Sequence, residues 1–134
     1  MSIYEVVNTR SHVHLVIEHC LGTPVFHYVK KLNDNRMSEE TCKWFFRQLV
    51  TAVAYMHSKD LAHRDLKLEN ILISMDDRQI KVIDFGFAVE TKVDRHENYC
   101  GTPHYMDPDI VSKVPYSAKA ADVWALGVIL YIVS

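Results

Sequence analysis

Residues 38–58 hold a single periodicity, and it is the strongest constraint on what this chain can fold into. Cys42, Phe45, Phe46, Leu49, Val53 and Met56 recur at steps of three and four, the spacing that lines up one face of an α-helix. Ser38 stands just before the run as an N-cap, and Glu39 and Glu40 fall where the positive end of the helix dipole favours acids. The pattern predicts one amphipathic helix to about Ser58, with its apolar stripe turned to a core.

The rest of the chain supplies that core in short pieces. Ile3–Asn8 and residues 12–18 are rich in β-branched side chains and are separated by Thr9-Arg10-Ser11, a hairpin signal. Leu21-Gly22-Thr23-Pro24 breaks the pattern, and Pro24 suits the first turn of a helix running to about Leu32. Leu61-Ala62 leads into a polar run. Ile71-Leu72-Ile73 and Ile80-Lys81-Val82-Ile83 then read as two short strands joined by a turn-rich Ser74-Met75-Asp76-Asp77-Arg78. Residues 86–115 show neither period, and so long an irregular stretch in a compact domain is expected to be a functional loop. The last element is a helix over Ala118–Val133. Its apolar run 123–133 is far too short to span a bilayer, follows Asp122 directly, and reads as buried.

Composition narrows the function classes. The net charge is −2, with 49% hydrophobic and 24% charged residues, so an ordinary globular domain is expected and nucleic acid is not an implied partner. Cys20, Cys42 and Cys100 contain no C-x-x-C pair and suggest neither a disulfide framework nor a zinc ribbon. The first residues show neither a basic nor an apolar leader segment, so an intracellular location, cytoplasmic or nuclear, is expected, with no membrane partner. His12 and His14 share a strand face without a third ligand and read as exposed residues; His57 reads as a helix-end histidine.

The chemistry gathers around short strands. Asp65 and Asn70 lie five residues apart in a run that also offers Lys67, and Asp84 follows a strand and precedes Phe85-Gly86. Acidic and amide oxygens at strand ends suit hard Mg²⁺, which completes its shell with substrate phosphates. A lysine beside them would neutralise charge on a transferred group. Phosphoryl transfer is the reaction class these residue types suggest.

The wording of the motifs goes further. His63-Arg64-Asp65-Leu66-Lys67-Leu68-Glu69-Asn70 resembles the catalytic loop of eukaryotic protein kinases, and Asp84-Phe85-Gly86 resembles their metal-binding motif. Residues 101–109, from Gly101-Thr102-Pro103 to Asp107-Pro108-Asp109, resemble the end of an activation loop. Asp122-Val123-Trp124-Ala125-Leu126-Gly127 resembles the start of the family's central helix. The resemblance covers essentially the whole chain and is to the Ser/Thr type, in the style of the calcium/calmodulin- and AMP-regulated branch. It implies an α+β fold class: the large helical kinase lobe, truncated, with a two-stranded remnant of the small lobe. It also implies ATP and Mg²⁺ as cofactors and a protein Ser/Thr hydroxyl as acceptor. Asp65 would accept the hydroxyl proton, with Lys67 near the γ-phosphate, and Asn70 and Asp84 would hold metal. The nucleotide-binding set would be Glu18, Cys20, Lys67, Glu69, Asn70, Leu72 and Asp84, with Glu18-His19-Cys20 as hinge, Ile17 as gatekeeper and Leu72 under the adenine. Thr102 would bond toward Asp65 and Lys67. His63 and Phe85 would align the site, anchored by Asp122.

Departures from the family pattern shape the expectations. The four glycines are Gly22, Gly86, Gly101 and Gly127, so no G-x-G-x-x-G loop is present, and no V-A-I-K-like strand lysine occurs. The 134 residues align from the fourth strand of the small lobe into the central helix. Asn98 stands where many relatives carry an activating phosphothreonine, although Arg64 keeps the guanidinium that would receive one; Thr91, Tyr99 or an unphosphorylated mode are the alternatives. Pro24 replaces one acid associated with basic substrates and Glu69 retains another. Against an enzyme stands the rival of a non-catalytic kinase remnant that binds or regulates. Intact Asp65, Lys67, Asn70 and Asp84 favour the enzyme.

Overall fold

The computed structural model describes residues 2–92 and 95–134. Val93 and Asp94, inside the stretch expected to be loop, lie outside the described residues. The N-terminal hairpin forms as the sequence indicated, from β1 (Ile3–Asn8) and β2 (Val13–Ile17), antiparallel, with Val6 opposite Leu15 and a register irregularity between Ile3 and Glu5. Every residue of both strands is exposed.

β3 is the two-residue strand Thr23–Pro24, and it corrects the reading of Pro24. Pro24 caps helix α1 (Val25–Lys30) from an extended conformation and pairs opposite Leu72, so it precedes the helix rather than opening it. A proline tolerates this place because an edge strand does not need its missing N–H. α1 buries Val25 and Val29. The long helix α2 spans Glu39–Ser58, and the Ser38 hydroxyl accepts the Thr41 N–H at 3.3 Å. Its stripe buries Cys42, Phe45, Leu49, Val53 and Met56, while Phe46 packs at the margin.

β4 (Leu61–Ala62) pairs antiparallel with β7 (Val89–Glu90). β5 (Ile71–Ser74) and β6 (Gln79–Val82) form the expected hairpin, and β3 joins it as a third strand. Residues 86–115 are less irregular than their sequence implied: they contain β7, a 3₁₀ turn at Pro103–Tyr105 and a short helix α3 (Pro108–Val111) capped by Asp107. Elements of two to four residues are shorter than any sequence periodicity, which is why they were invisible.

α4 (Ala118–Val133) lies against α2, and the carbonyl of Val133 accepts the Met37 N–H at 2.9 Å, tying the end of one helix to the start of the other. Its burial corrects the expectation of a wholly buried helix. Ala125, Leu126, Ile129 and Val133 face the core, whereas Val123, Trp124 and Tyr131 are exposed, Tyr131 to 85%. No helix among the described residues is long and apolar enough to cross a membrane.

Two open apolar surfaces result, one on the hairpin and one on α4. Exposed strand edges and contiguous apolar faces drive association in water. The 134-residue chain is therefore expected to elute above its monomer mass in size-exclusion chromatography with light scattering. Val16→Lys, which places a lysine opposite Glu5, should shift the distribution toward monomer.

Candidate active site

Asp122 sits in the second turn of α4 and is 1% exposed. A buried carboxylate needs donors, and it finds them in distant chain segments. Oδ2 accepts the His63 N–H at 2.9 Å and the His57 Nε2–H at 2.8 Å; Oδ1 accepts the Arg64 N–H at 2.8 Å. Arg64 has φ +66, a left-handed conformation that non-glycine residues adopt reluctantly. The bond to Asp122 is what makes that conformation tenable, because it satisfies the amide the turn would otherwise leave buried.

The His63 ring continues the chain of support. Its Nε2 must donate to the Ile83 carbonyl at 3.1 Å, since a carbonyl only accepts, which leaves Nδ1 to accept the Asp65 N–H at 3.3 Å. One fully buried imidazole thus spans from the residue before Asp84 to the amide of Asp65. The ring of Phe85 packs beside it at 5.1 Å between centroids. Asp84 itself has φ +62, and its Oδ1 accepts the Gly86 N–H at 3.2 Å.

Around Asp65 the structure brings together Lys67, Asn70 and Thr102 from the residues the sequence singled out. Asp65 is 5% exposed. Its Oδ1 accepts the Thr102 hydroxyl at 2.7 Å, and its Oδ2 lies 2.9 Å from Lys67 Nζ. Lys67 Nζ also donates to Thr102 Oγ1 at 2.9 Å, closing a triangle of three side chains. Asn70, likewise buried, donates its amide nitrogen to the Asp65 carbonyl and to Oδ2, at 3.0 and 3.1 Å. That use of the nitrogen turns the amide oxygen into the end available to a cation. Thr102 can reach Asp65 because Gly101, at φ +119, lets the backbone pass so close to Arg64 that a Cβ there would stand 2.9 Å from the Arg64 carbonyl.

The hinge residues stand at a separate part of the site. Glu18 and Cys20 line an open cavity of about 980 Å³ with Leu15, Ile17, Leu72 and Asp84. Apolar walls with an acid at one end suit a flat heteroaromatic ring attached to an anionic chain that a cation bridges, so these residues fit ATP with Mg²⁺. Glu69, grouped with the nucleotide set in the sequence, is exposed on the 3₁₀ turn Leu68–Asn70 and is not among the residues lining this cavity.

Three functional contacts were not foreseen. His57 reaches Asp122 across 65 residues; the available signal was its place four residues after Val53, on the buried side of α2. Lys81 on β6 pairs with Glu18, whose second oxygen accepts the Ser2 N–H at 2.9 Å. The Lys81 hydrogen bond, and then the Ser2 N–H, hold the Glu18 carboxyl below its ordinary range, while the same bond raises Lys81. Tyr116, 1% exposed, contacts Arg64 through its hydroxyl.

A buried acid held by lysine and threonine, beside a second acid at the mouth of a large apolar cleft, defines a site of the protein kinase class. The chain matches the protein kinase domain along residues 1–134, and it belongs to that family. It is 44% identical to the mitosis inducer protein kinase cdr1 of Schizosaccharomyces pombe over 132 residues, 98% of this chain and 22% of that protein. It is 41% identical to the maternal embryonic leucine zipper kinase of Xenopus laevis, over 96% of this chain and 20% of the relative. The CBL-interacting protein kinase 10 of Oryza sativa subsp. japonica is 35% identical over 98% of this chain and 29% of its own length. The chain thus spans less than a third of the curated relatives it matches.

Two outcomes follow. Asp122→Asn removes an acceptor that two buried donors share, and should cost about 3 kcal/mol in urea unfolding. For the hinge pair the sign is fixed by the shifts. Glu18, being depressed, stabilises the fold above the ordinary carboxylate range and loses that contribution as pH falls through its folded value. Melting curves of wild type and Glu18→Gln should therefore differ at neutral pH and converge on acidification.

Proposed function

We propose that the kinase domain containing these residues transfers the γ-phosphate of Mg-ATP to a serine or threonine hydroxyl of a protein. The observation that carries this reading is the Asp65–Lys67–Thr102 triangle. Asp65 offers a carboxylate oriented by hydrogen bonds from Thr102 and Asn70, so it can accept the proton of an incoming hydroxyl without rearranging. Lys67, 2.9 Å from that carboxylate, carries the positive charge that would meet the transferred group. Thr102 bridges both.

Asn70 and Asp84 are the residues that would hold Mg²⁺, and the bound nucleotide supplies the phosphoryl group. Ile17, Cys20 and Leu72 would enclose the adenine, with the hinge backbone at Glu18–Cys20 beside it. Free thiols at Cys20, Cys42 and Cys100 support an intracellular setting.

The test separates proton acceptor from metal ligand in a complete kinase domain built around these residues. Asp65→Asn should lower kcat by roughly 100-fold or more while leaving Mg-ATP affinity nearly unchanged, because it removes an interaction made with the acceptor. Asp84→Asn should weaken Mg-ATP binding along with rate. Equal losses of affinity in the two variants would overturn the assignment. The 134 residues alone contain no glycine-rich loop and no V-A-I-K-like lysine to grip the phosphates, so calorimetry should give no isotherm at micromolar Mg-ATP. A clear isotherm there would contradict that expectation.

A further inference from the structure

Arg64 is one residue from the proposed proton acceptor, and its guanidinium could serve an anion. In this structure Nε and Nη1 are already engaged by the protein. Nε donates to the Phe87 carbonyl at 2.7 Å, and Nη1 donates to the Asn98 carbonyl at 3.4 Å and to the Tyr116 hydroxyl at 3.3 Å. The Tyr116 hydroxyl in turn donates to the same Asn98 carbonyl at 2.9 Å. Arginine, hydroxyl and carbonyl form a closed three-membered junction around a backbone oxygen. The Asn98 side chain takes no part in these bonds.

The junction is the inner end of a larger dock. Residues 95–98 lie along Pro115–Tyr116: Arg95 Nη1 donates to the Pro115 carbonyl at 2.7 Å, and His96 and Tyr116 exchange backbone bonds at 2.8 and 3.1 Å. The ring of Tyr116 is flanked by His96 and Tyr99, with centroids 6.1 and 6.2 Å away. Three residues beyond the junction, Gly101 presses against the Arg64 carbonyl and Thr102 bonds to Asp65. Whatever fixes Asn98 against Arg64 therefore fixes Thr102 against Asp65.

We propose that Tyr116 is a positioning residue whose hydroxyl, with Arg64, latches the activation segment at the Asn98 carbonyl, so that the segment is held in its working position without phosphorylation there. This deepens the kinase reading and rests on it for the meaning of "working". The physical requirement is that the half-buried Arg64 find acceptors for Nε and Nη1 where the segment docks. A carbonyl and a hydroxyl meet that requirement as a phosphate would, but constitutively. Because the carbonyl is a backbone group, the latch is indifferent to the side chain at position 98 and sensitive to a single oxygen at position 116.

Hydrogen–deuterium exchange on the 134-residue chain, phosphatase-treated and shown phosphate-free by intact mass, tests this without reading catalysis. The amides of His96 and Tyr105 both donate within the docked segment. In Tyr116→Phe, which keeps the ring, they should exchange at least fivefold faster, while amides of α2 and the β5–β6 hairpin keep their wild-type rates. Asn98→Ala should match wild type, and Asn98→Asp should bring no added protection. Unchanged exchange in Tyr116→Phe would overturn the latch, and uniform acceleration across the chain would reduce Tyr116 to a packing residue. Slower exchange in Asn98→Asp would overturn it too, since it would reveal a junction still waiting for an anion. If the latch survives while the complete domain shows no phosphoryl transfer, the kinase reading fails alone. If the domain is active and the latch variant is silent, only the latch fails.

Discussion

The loop that carries Asp65 hangs from one buried carboxylate. Asp122 sits on α4 yet spends both its oxygens on other segments, taking the amides of His63 and Arg64 and the ring of His57. A loop that must turn through a left-handed residue has little intrinsic reason to hold that shape. It holds here because a rigid helix presents a charge that the loop's own amides satisfy. The backbone of the loop sets where Asp65 stands, and bonds from Thr102, Asn70 and Lys67 then orient its carboxylate. Placing the anchor on a helix packed against α2 makes the precision of the loop a property of the core.

From the anchor the support spreads through dissimilar groups. His63 carries it toward Asp84 by bonding the Ile83 carbonyl, and toward Asp65 by accepting its amide. Gly101 carries it into the activation segment by steric permission rather than by any bond. The cleft beyond is built differently, from apolar side chains of the hairpin and β5, and its geometry depends on the hinge pair Glu18–Lys81. Loop and cleft therefore rest on separate foundations, one in the helical core and one on an exposed hairpin.

What could be read in the sequence divides along the range of the interactions. The α2 stripe, its Ser38 cap, both hairpins and the bounds of α4 are written in neighbouring residues, where period and turn chemistry act. Asp65, Lys67, Asn70, Asp84 and Thr102 were legible as motif words, and the structure gathers Asp65, Lys67, Asn70 and Thr102 within hydrogen-bond reach. The contacts that escaped join residues far apart: 65 positions for His57 with Asp122, 63 for Lys81 with Glu18, 52 for Arg64 with Tyr116. Each partner alone looks like an ordinary polar or aromatic residue, so nothing local marks it. The expectation of a wholly buried α4 failed because hydrophobicity reports what a face can pack against, not whether a neighbour is there.

The backbone bridge between His96 and Tyr116 has a consequence for how this region can vary. It pinches residues 96–116 into a closed ring of about twenty residues whose ends are fixed at the neck. The entropy of closing such a ring grows only with the logarithm of its length, about 0.6 kcal/mol for each doubling. Extra residues in the exposed stretch 112–114, between α3 and the neck, would lengthen the ring at small cost, while the neck goes on holding Asn98 and Thr102 in register. The fold thus separates a surface free to diversify from a geometry that cannot.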